Sequence, residues 1–235
     1  MRPIGACDLL SLWERGVVRH ALDRSAMLAS FARPELLPQA VPDLPLGEIT
    51  VSLLRLREAI FGPRIRSHVD CEQCGQRLEL TLDAMELGLP MPHGESVVTG
   101  VDVAGLRVRP PTLRDMAVVA NEQEATRAAR KLLECCTIQG DAASLPEVLF
   151  RDVEDALEAA DPNADLAFEV HCEACGGPST AQLDVGELLW DEISARARAL
   201  LGEVHLLARA YGWTESEILA LSPARRASYL SMVAT

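Results

Sequence analysis

Two stretches decide the fold: VDCEQCGQRLELTLDAMEL at residues 69–87 and VHCEACGGPSTAQLDVGEL at residues 170–188. Laid over each other without a gap, at an offset of 101, they agree at nine of 19 positions. The shared residues are Val69, Cys71, Glu72, Cys74, Gly75, Leu82, Asp83, Glu86 and Leu87, repeated as Val170, Cys172, Glu173, Cys175, Gly176, Leu183, Asp184, Glu187 and Leu188. Self-similarity of this kind reads as a duplicated supersecondary unit. Each copy has a strand-like approach, a Cys-x-x-Cys-Gly knuckle and a strand-like return, the glycine supplying the positive φ that a tight turn requires. On such a turn two thiolates face one metal ion, and two turns complete a tetrahedral shell. Cys71, Cys74, Cys172 and Cys175 are therefore expected to hold one structural zinc as a zinc-ribbon-like pair of hairpins. Iron accepts the same four-thiolate set. With every coordination position filled by sulfur, the expected role of the ion is structural and not catalytic. Because 97 residues separate Cys74 from Cys172, the ion would close a long loop, and its binding energy becomes folding energy.

Two other readings of the same residues are weaker. Four buried thiols could bind nothing, and a thioredoxin-like redox pair would need its first cysteine at a helix N-terminus, whereas Gly75 and Gly176 lead into strands. His68 and His171 flank the knuckles and read as strand residues. The remaining thiols, Cys7, Cys135 and Cys136, bring the total to an odd seven, which disfavours a disulfide framework. In residues 1–30, Asp8, Glu14, Arg15, Arg19 and Asp23 interrupt the apolar run that a secretion signal needs.

Outward from the knuckles the chain reads as mainly helical. Asp8 is expected to cap a short helix ending near Gly16, with a second helix over about 17–31. Prolines 34, 38, 42 and 45 make 34–46 a covering loop. Residues 46–61 follow helical spacing and stop at Gly62-Pro63. Between the knuckles, 88–100 is turn-rich, and 101–103 with 106–108 form a small hairpin. Thr112 with Asp115 resembles a capping box, and helices are expected over 122–136 and 145–160. A long helix over 186–211 ends at Gly212, and Thr214 with Glu217 caps a short helix before a last one that starts at Ser222-Pro223. The expected class is α+β, mainly α-helical. Its parts are an N-terminal helical region (1–64), first knuckle (65–87), central hairpin and helical insert (88–165), second knuckle (166–185), and a long helix with a C-terminal helical hook (186–235).

The 235 residues are 49% hydrophobic, 24% charged and 4% aromatic, which suits a folded chain of one or two domains. A net charge of −13 opposes nucleic acid as a partner. No apolar run reaches the ~20 residues of a membrane span, and a cytoplasmic location is expected. Rossmann, Walker, Gly-x-Ser-x-Gly and His-Glu-x-x-His patterns are absent from the sequence, and the five histidines lack flanking residues that would mark a general base. His205 reads as a helix-surface residue. Acidic groups such as Glu122 with Glu124, and Asp152, Glu154, Asp155 and Glu158, read as solvated helix faces. The chain is expected not to be an enzyme.

Three further segments carry a family resemblance: LPLG at 44–47, LREAIFGPR at 56–64 leading into CEQCG at 71–75, and EVHLLARAYGW at 203–213, followed by EIL at 217–219 and Arg225-Arg226. Together they resemble the baseplate (hub) assembly proteins of contractile-tailed phages and of phage-tail-like extracellular contractile injection systems. The resemblance covers roughly a third of the chain and is strongest in the hook. It implies a non-enzymatic assembly factor or structural component of a contractile baseplate, whose partners are other baseplate or tail proteins. In the hook, Trp213, Ile218, Leu219, Tyr229 and Leu230 are candidate partner-binding residues. The competing expectation is an acidic zinc-ribbon adaptor in regulation that binds protein and not DNA.

Overall fold

The computed structural model of the chain describes residues 4–84 and 100–233. Two compact units emerge, one combining residues 1–19 with 187–235 and the other spanning 20–186. The five sequence segments regroup accordingly: the first helix belongs with the C-terminal helices, and the rest of the N-terminal region belongs with both knuckles and the insert.

In the larger unit, α2 (Ala21–Ala32) packs on α3 (Leu46–Phe61) and meets α4 (Leu113–Val119), and Pro45, just before α3, pairs with Thr112, just before α4. The strong apolar periodicity of α3 is spent inward, since Ile49, Val51, Leu53, Leu54 and Leu56 are all buried. Its start is capped from far away. Pro45 has no capping side chain, and the Asp161 carboxylate instead accepts the Gly47 N–H at 2.9 Å, from 114 positions later in the chain. A side chain at position 47 would displace this cap, because a Cβ would lie 1.9 Å from Asp161 Oδ1. Burial pushes the Asp161 carboxyl up, the Gly47 N–H pulls it down, and the nearby Glu48 charge pushes it up further.

The insert between the knuckles is a small layer of sheet and helix. Strands β3 (Val101–Val103), β4 (Leu106–Val108) and β5 (Thr137–Gln139) form a three-stranded antiparallel sheet in that order. With α5 (Ala125–Cys136) and α6 (Phe150–Ala160) they enclose Leu106, Val108, Leu133, Ala142, Leu145 and Val153. At its edge Arg109 grips Asp115 with two bonds, at 2.6 and 3.0 Å, and donates to the Cys135 carbonyl. Burial opposes ionisation of Asp115, but Arg109 and Thr112 outweigh it and hold the carboxyl below its ordinary range.

The smaller unit comprises α1 (Ala6–Gly16), most of α7 (Val185–Tyr211), α8 (Glu215–Ala220) and α9 (Pro223–Val233). Gly212 turns the chain at φ 71°, and Thr214 with Glu217 forms a complete capping box. Arg226, 2% exposed, ties the hook down: its Nε donates to Glu203 on α7 at 2.8 Å and its Nη1 to the Leu221 carbonyl at 2.6 Å. Arg196 holds Glu203 from the other side. Among the described residues no helix is long and apolar enough to cross a membrane.

Several boundaries differ from the sequence reading. Gly5, not Asp8, is the N-cap of α1, while Asp8 reaches back from the third helical position to accept the Gly5 N–H at 3.0 Å. The second helix starts at Ala21, where His20 Nδ1 accepts the Leu22 N–H; the residues after Gly16 form a turn. Helix α5 starts at Ala125 because residues 119–122 close a turn, and residues 145–149 are extended or 3₁₀, leaving α6 to begin at Phe150. Strand β5 is an addition. The expected turns at 88–99 lie outside the described residues.

Candidate metal centre

Each knuckle sits at the tip of a two-stranded antiparallel hairpin, β1 (Arg64–Asp70) with β2 (Arg77–Asp83), and β6 (Ala167–His171) with β7 (Pro178–Gln182). The duplication seen in the letters recurs in the backbone. Asp70 pairs with Arg77 and Val69 with Leu78, as His171 pairs with Pro178 and Val170 with Ser179, so the register repeats at the same offset. At the tips the Cys71 N–H donates to the Gln76 carbonyl and the Cys172 N–H to the Gly177 carbonyl, both at 2.9 Å. Gly75 and Gly176 each return an N–H to the first cysteine of the pair at 2.8 Å, with φ of 71° and 72°. A residue with a Cβ is disfavoured at that φ, so the glycines are a geometric requirement of the turn.

The two tips meet. All four Sγ atoms lie within 4.8 Å of one another, with Cys71 to Cys175 and Cys74 to Cys172 both at 3.7 Å. Exchanging the two hairpins turns the first pair into the second, so the site has an approximate two-fold axis. Sulfurs bound tetrahedrally at ~2.3 Å from a central ion are separated by about 3.8 Å, and the two pairs sit at that spacing. The first cysteine of each pair is buried and the second exposed, leaving one side of the cluster open to solvent for metal entry. The four cysteines are close enough to hold a metal ion, as the spacing predicted.

The surroundings favour anionic sulfur unevenly. The Cys71 thiol is drawn down to about 6, first by the Cys74 and Gln73 amides and then by the Ser179 hydroxyl, which lies 3.7 Å away. At Cys74 the Gln76 amide pulls down, but Cys172, desolvation and the other two thiols outweigh it and push the group up to about 12. Cys175 is likewise raised: desolvation and the contacts with Cys71 and Cys172 overcome the Gly177 amide. Four sulfurs this close cannot all ionise without a cation between them, so metal binding must displace protons. The copies are not identical: Ser179, which reaches Cys71, has Leu78 as its counterpart, and Gln73 lies across the second knuckle, where a Cβ on Gly177 would stand 2.2 Å from its Oε1.

His68 and His171 occupy exposed strand positions, and neither joins the cluster, which consists of the four cysteines. Of the remaining thiols, Cys7 is exposed and Cys135 partly exposed. Cys136 is buried, and desolvation pushes its thiol up to about 12, an inert sulfur in a core. The hook residues divide. Ile218 is fully buried, so its side chain is not an open contact surface. Trp213, Leu219, Tyr229 and Leu230 are half-buried. Trp213 stacks on Tyr211 at 4.7 Å between ring centroids and meets Tyr229 edge-on at 4.9 Å.

No family model, curated protein or solved structure matches the chain.

Proposed function

We propose that the protein is a non-enzymatic assembly factor or structural component of a contractile tail or injection-system baseplate, held together by one structural zinc ion and working in the cytoplasm of the producing cell. The observation that carries the metal half is the four-cysteine cluster with its tetrahedral sulfur spacing. Four thiolates leave zinc no site for substrate or activated water, so the ion staples and does not catalyse. The baseplate half rests on the resemblance of residues 44–47, 56–64 with 71–75, 203–213, 217–219 and 225–226 to baseplate assembly proteins. In support, the hook is firmly built, through the Thr214 capping box and Arg226, yet keeps Trp213, Leu219, Tyr229 and Leu230 partly open to a partner.

The test is deletion of the gene in its own background, with particles counted by electron microscopy and tail proteins co-purified on the tagged chain. Loss of complete baseplates, together with recovery of baseplate proteins on the tag, is the expected result. Normal particles and recovery of transcription machinery instead would replace the reading with the acidic adaptor.

A further inference from the structure

The sulfurs of the cluster divide into two kinds. Cys74 and Cys175 are exposed, whereas Cys71 and Cys172 are only 3% and 2% exposed. Each exposed sulfur stands 3.7 Å from the buried sulfur of the opposite hairpin, Cys74 from Cys172 and Cys175 from Cys71. An accessible thiolate beside a second thiolate is the arrangement of an oxidisable cysteine with its resolving partner. Here those pairs lie across the hairpins and not within the Cys-x-x-Cys repeats.

Backbone bonds set which sulfurs can close. Each knuckle turn is fixed internally, by the Cys71 N–H to Gln76 and Gly75 N–H to Cys71 bonds in one copy and their counterparts in the other. A disulfide needs its sulfurs at about 2.0 Å. A small approach of the two tips shortens both cross pairs together and disturbs neither turn, whereas a bond within a knuckle has to remodel the turn itself. The choice has a topological consequence. Cross pairs join residues 104 and 98 positions apart, but same-knuckle pairs join residues three positions apart and leave the hairpins unlinked.

On the reading of the cluster as a metal staple, we propose that peroxide converts it into two disulfides across the hairpins, Cys74–Cys172 and Cys71–Cys175, so that the long loop stays closed as the metal leaves. The Cys74 thiolate attacks one oxygen of hydrogen peroxide, the O–O bond breaks, and a sulfenic acid and a hydroxide ion form. The Cys172 thiolate then attacks that sulfenic sulfur, forming the S–S bond and expelling the second hydroxide. Two thiolates are oxidised by two electrons, and one peroxide is reduced to two hydroxide ions. Cys175 with Cys71 repeats the sequence with a second peroxide. Each disulfide takes away two anionic ligands, so completion of both leaves no thiolate to hold the ion. Oxidation thereby exchanges a reversible staple for a covalent one.

Peroxide titration of the full chain, followed by metal analysis and by peptide mapping without reductant, tests it. Four cysteines allow three pairings, and the cross pairing is expected to dominate, with metal released in step with disulfide formation. With chelator present, the oxidised chain should melt roughly 10–20 °C above the reduced chain, because a disulfide persists in the unfolded ensemble and restricts it. Cys74→Ser should still form Cys71–Cys175 and keep Cys172 as a free thiol. Metal analysis before peroxide reports on the staple separately: a chain without metal as purified fails that reading, while its disulfide map still decides the pairing. Dominance of Cys71–Cys74 with Cys172–Cys175, an even mixture of pairings, thiols that stay reduced or pass to sulfinic acid, or an oxidised chain that melts no higher than the reduced one would each overturn the proposal.

Discussion

Replacing Cys172 with serine takes one of four sulfurs from the cluster at a position only 2% exposed. Its nearest sulfur neighbour, Cys74, lies 98 positions away in the chain, so metal bound by both pairs closes a loop of about a hundred residues. Metal held by the folded chain and released on unfolding adds its binding free energy to stability, about 4 kcal/mol where free metal exceeds its dissociation constant a thousandfold. A variant unable to hold it loses stability of that order. For a unit of this size, about 2–4 °C of melting temperature accompanies each kcal/mol, so a fall of roughly 8–16 °C is expected. The assay is a thermal melt by circular dichroism, with metal content measured on the same sample. Two controls separate metal loss from ordinary destabilisation. Cys7→Ser, at an exposed site, should leave both readouts unchanged. Cys136→Ser buries a hydroxyl in the core and should cost about 1–2 kcal/mol while keeping the metal. Full metal and an unshifted melt in Cys172→Ser, or identical behaviour of all three variants, would refute the loop-closing role of the knuckles.

Four further outcomes are expected. Because burial raises the Asp161 carboxyl, its folded-state stability contribution declines as pH rises through that raised value. Asp161→Asn, whose amide oxygen can still accept the Gly47 N–H, should match or exceed the parent in urea melts at pH 7, whereas Asp161→Ala should cost about 1 kcal/mol. Asp115 has the opposite sign: its lowered pKa gives stability that is complete above the ordinary carboxylate range and lost as pH falls through the folded value. Arg109→Gln should therefore be less stable at pH 7 yet flatten the loss of stability below about pH 4, read from denaturant midpoints between pH 7 and pH 3. Arg226→Met strips Glu203 and the Leu221 carbonyl of a donor and should destabilise the hook by about 2 kcal/mol, discounted for the partial exposure of Glu203. Removing residues from Trp213 onward should end recruitment of baseplate proteins, and metal content should stay at the parental value in both cases.

What could be read from the letters was what local chemistry fixes. The knuckles announced themselves through spacing and a repeated glycine, and the structure repeats even the hairpin register at the same offset. Helix α3 matched its expected bounds because strong apolar periodicity ends at Gly62, and the Thr112 and Thr214 boxes formed because capping needs only residues three positions apart. The misses come from partners far away in sequence. Strand β5 is three residues continuing directly from a helix, and only its pairing with β4 makes it a strand. No local signal places Asp161 on the start of α3, since that cap spans 114 positions. Leu145 looked helical by periodicity, yet its side chain fills the insert core from an extended backbone. Ile218 looked available because amphipathic spacing gives a face without saying what covers it, and in the fold that side chain is fully buried.

The central claim is that one metal ion, held by four cysteines, is part of the folded state. Native mass spectrometry of the purified chain, before and after a chelator and with circular dichroism on matched samples, tests it most directly. The account predicts one zinc per chain, released together with the structure of the larger unit. A chain that carries no metal as purified, or one that gives up its metal with its melt unchanged, would contradict it.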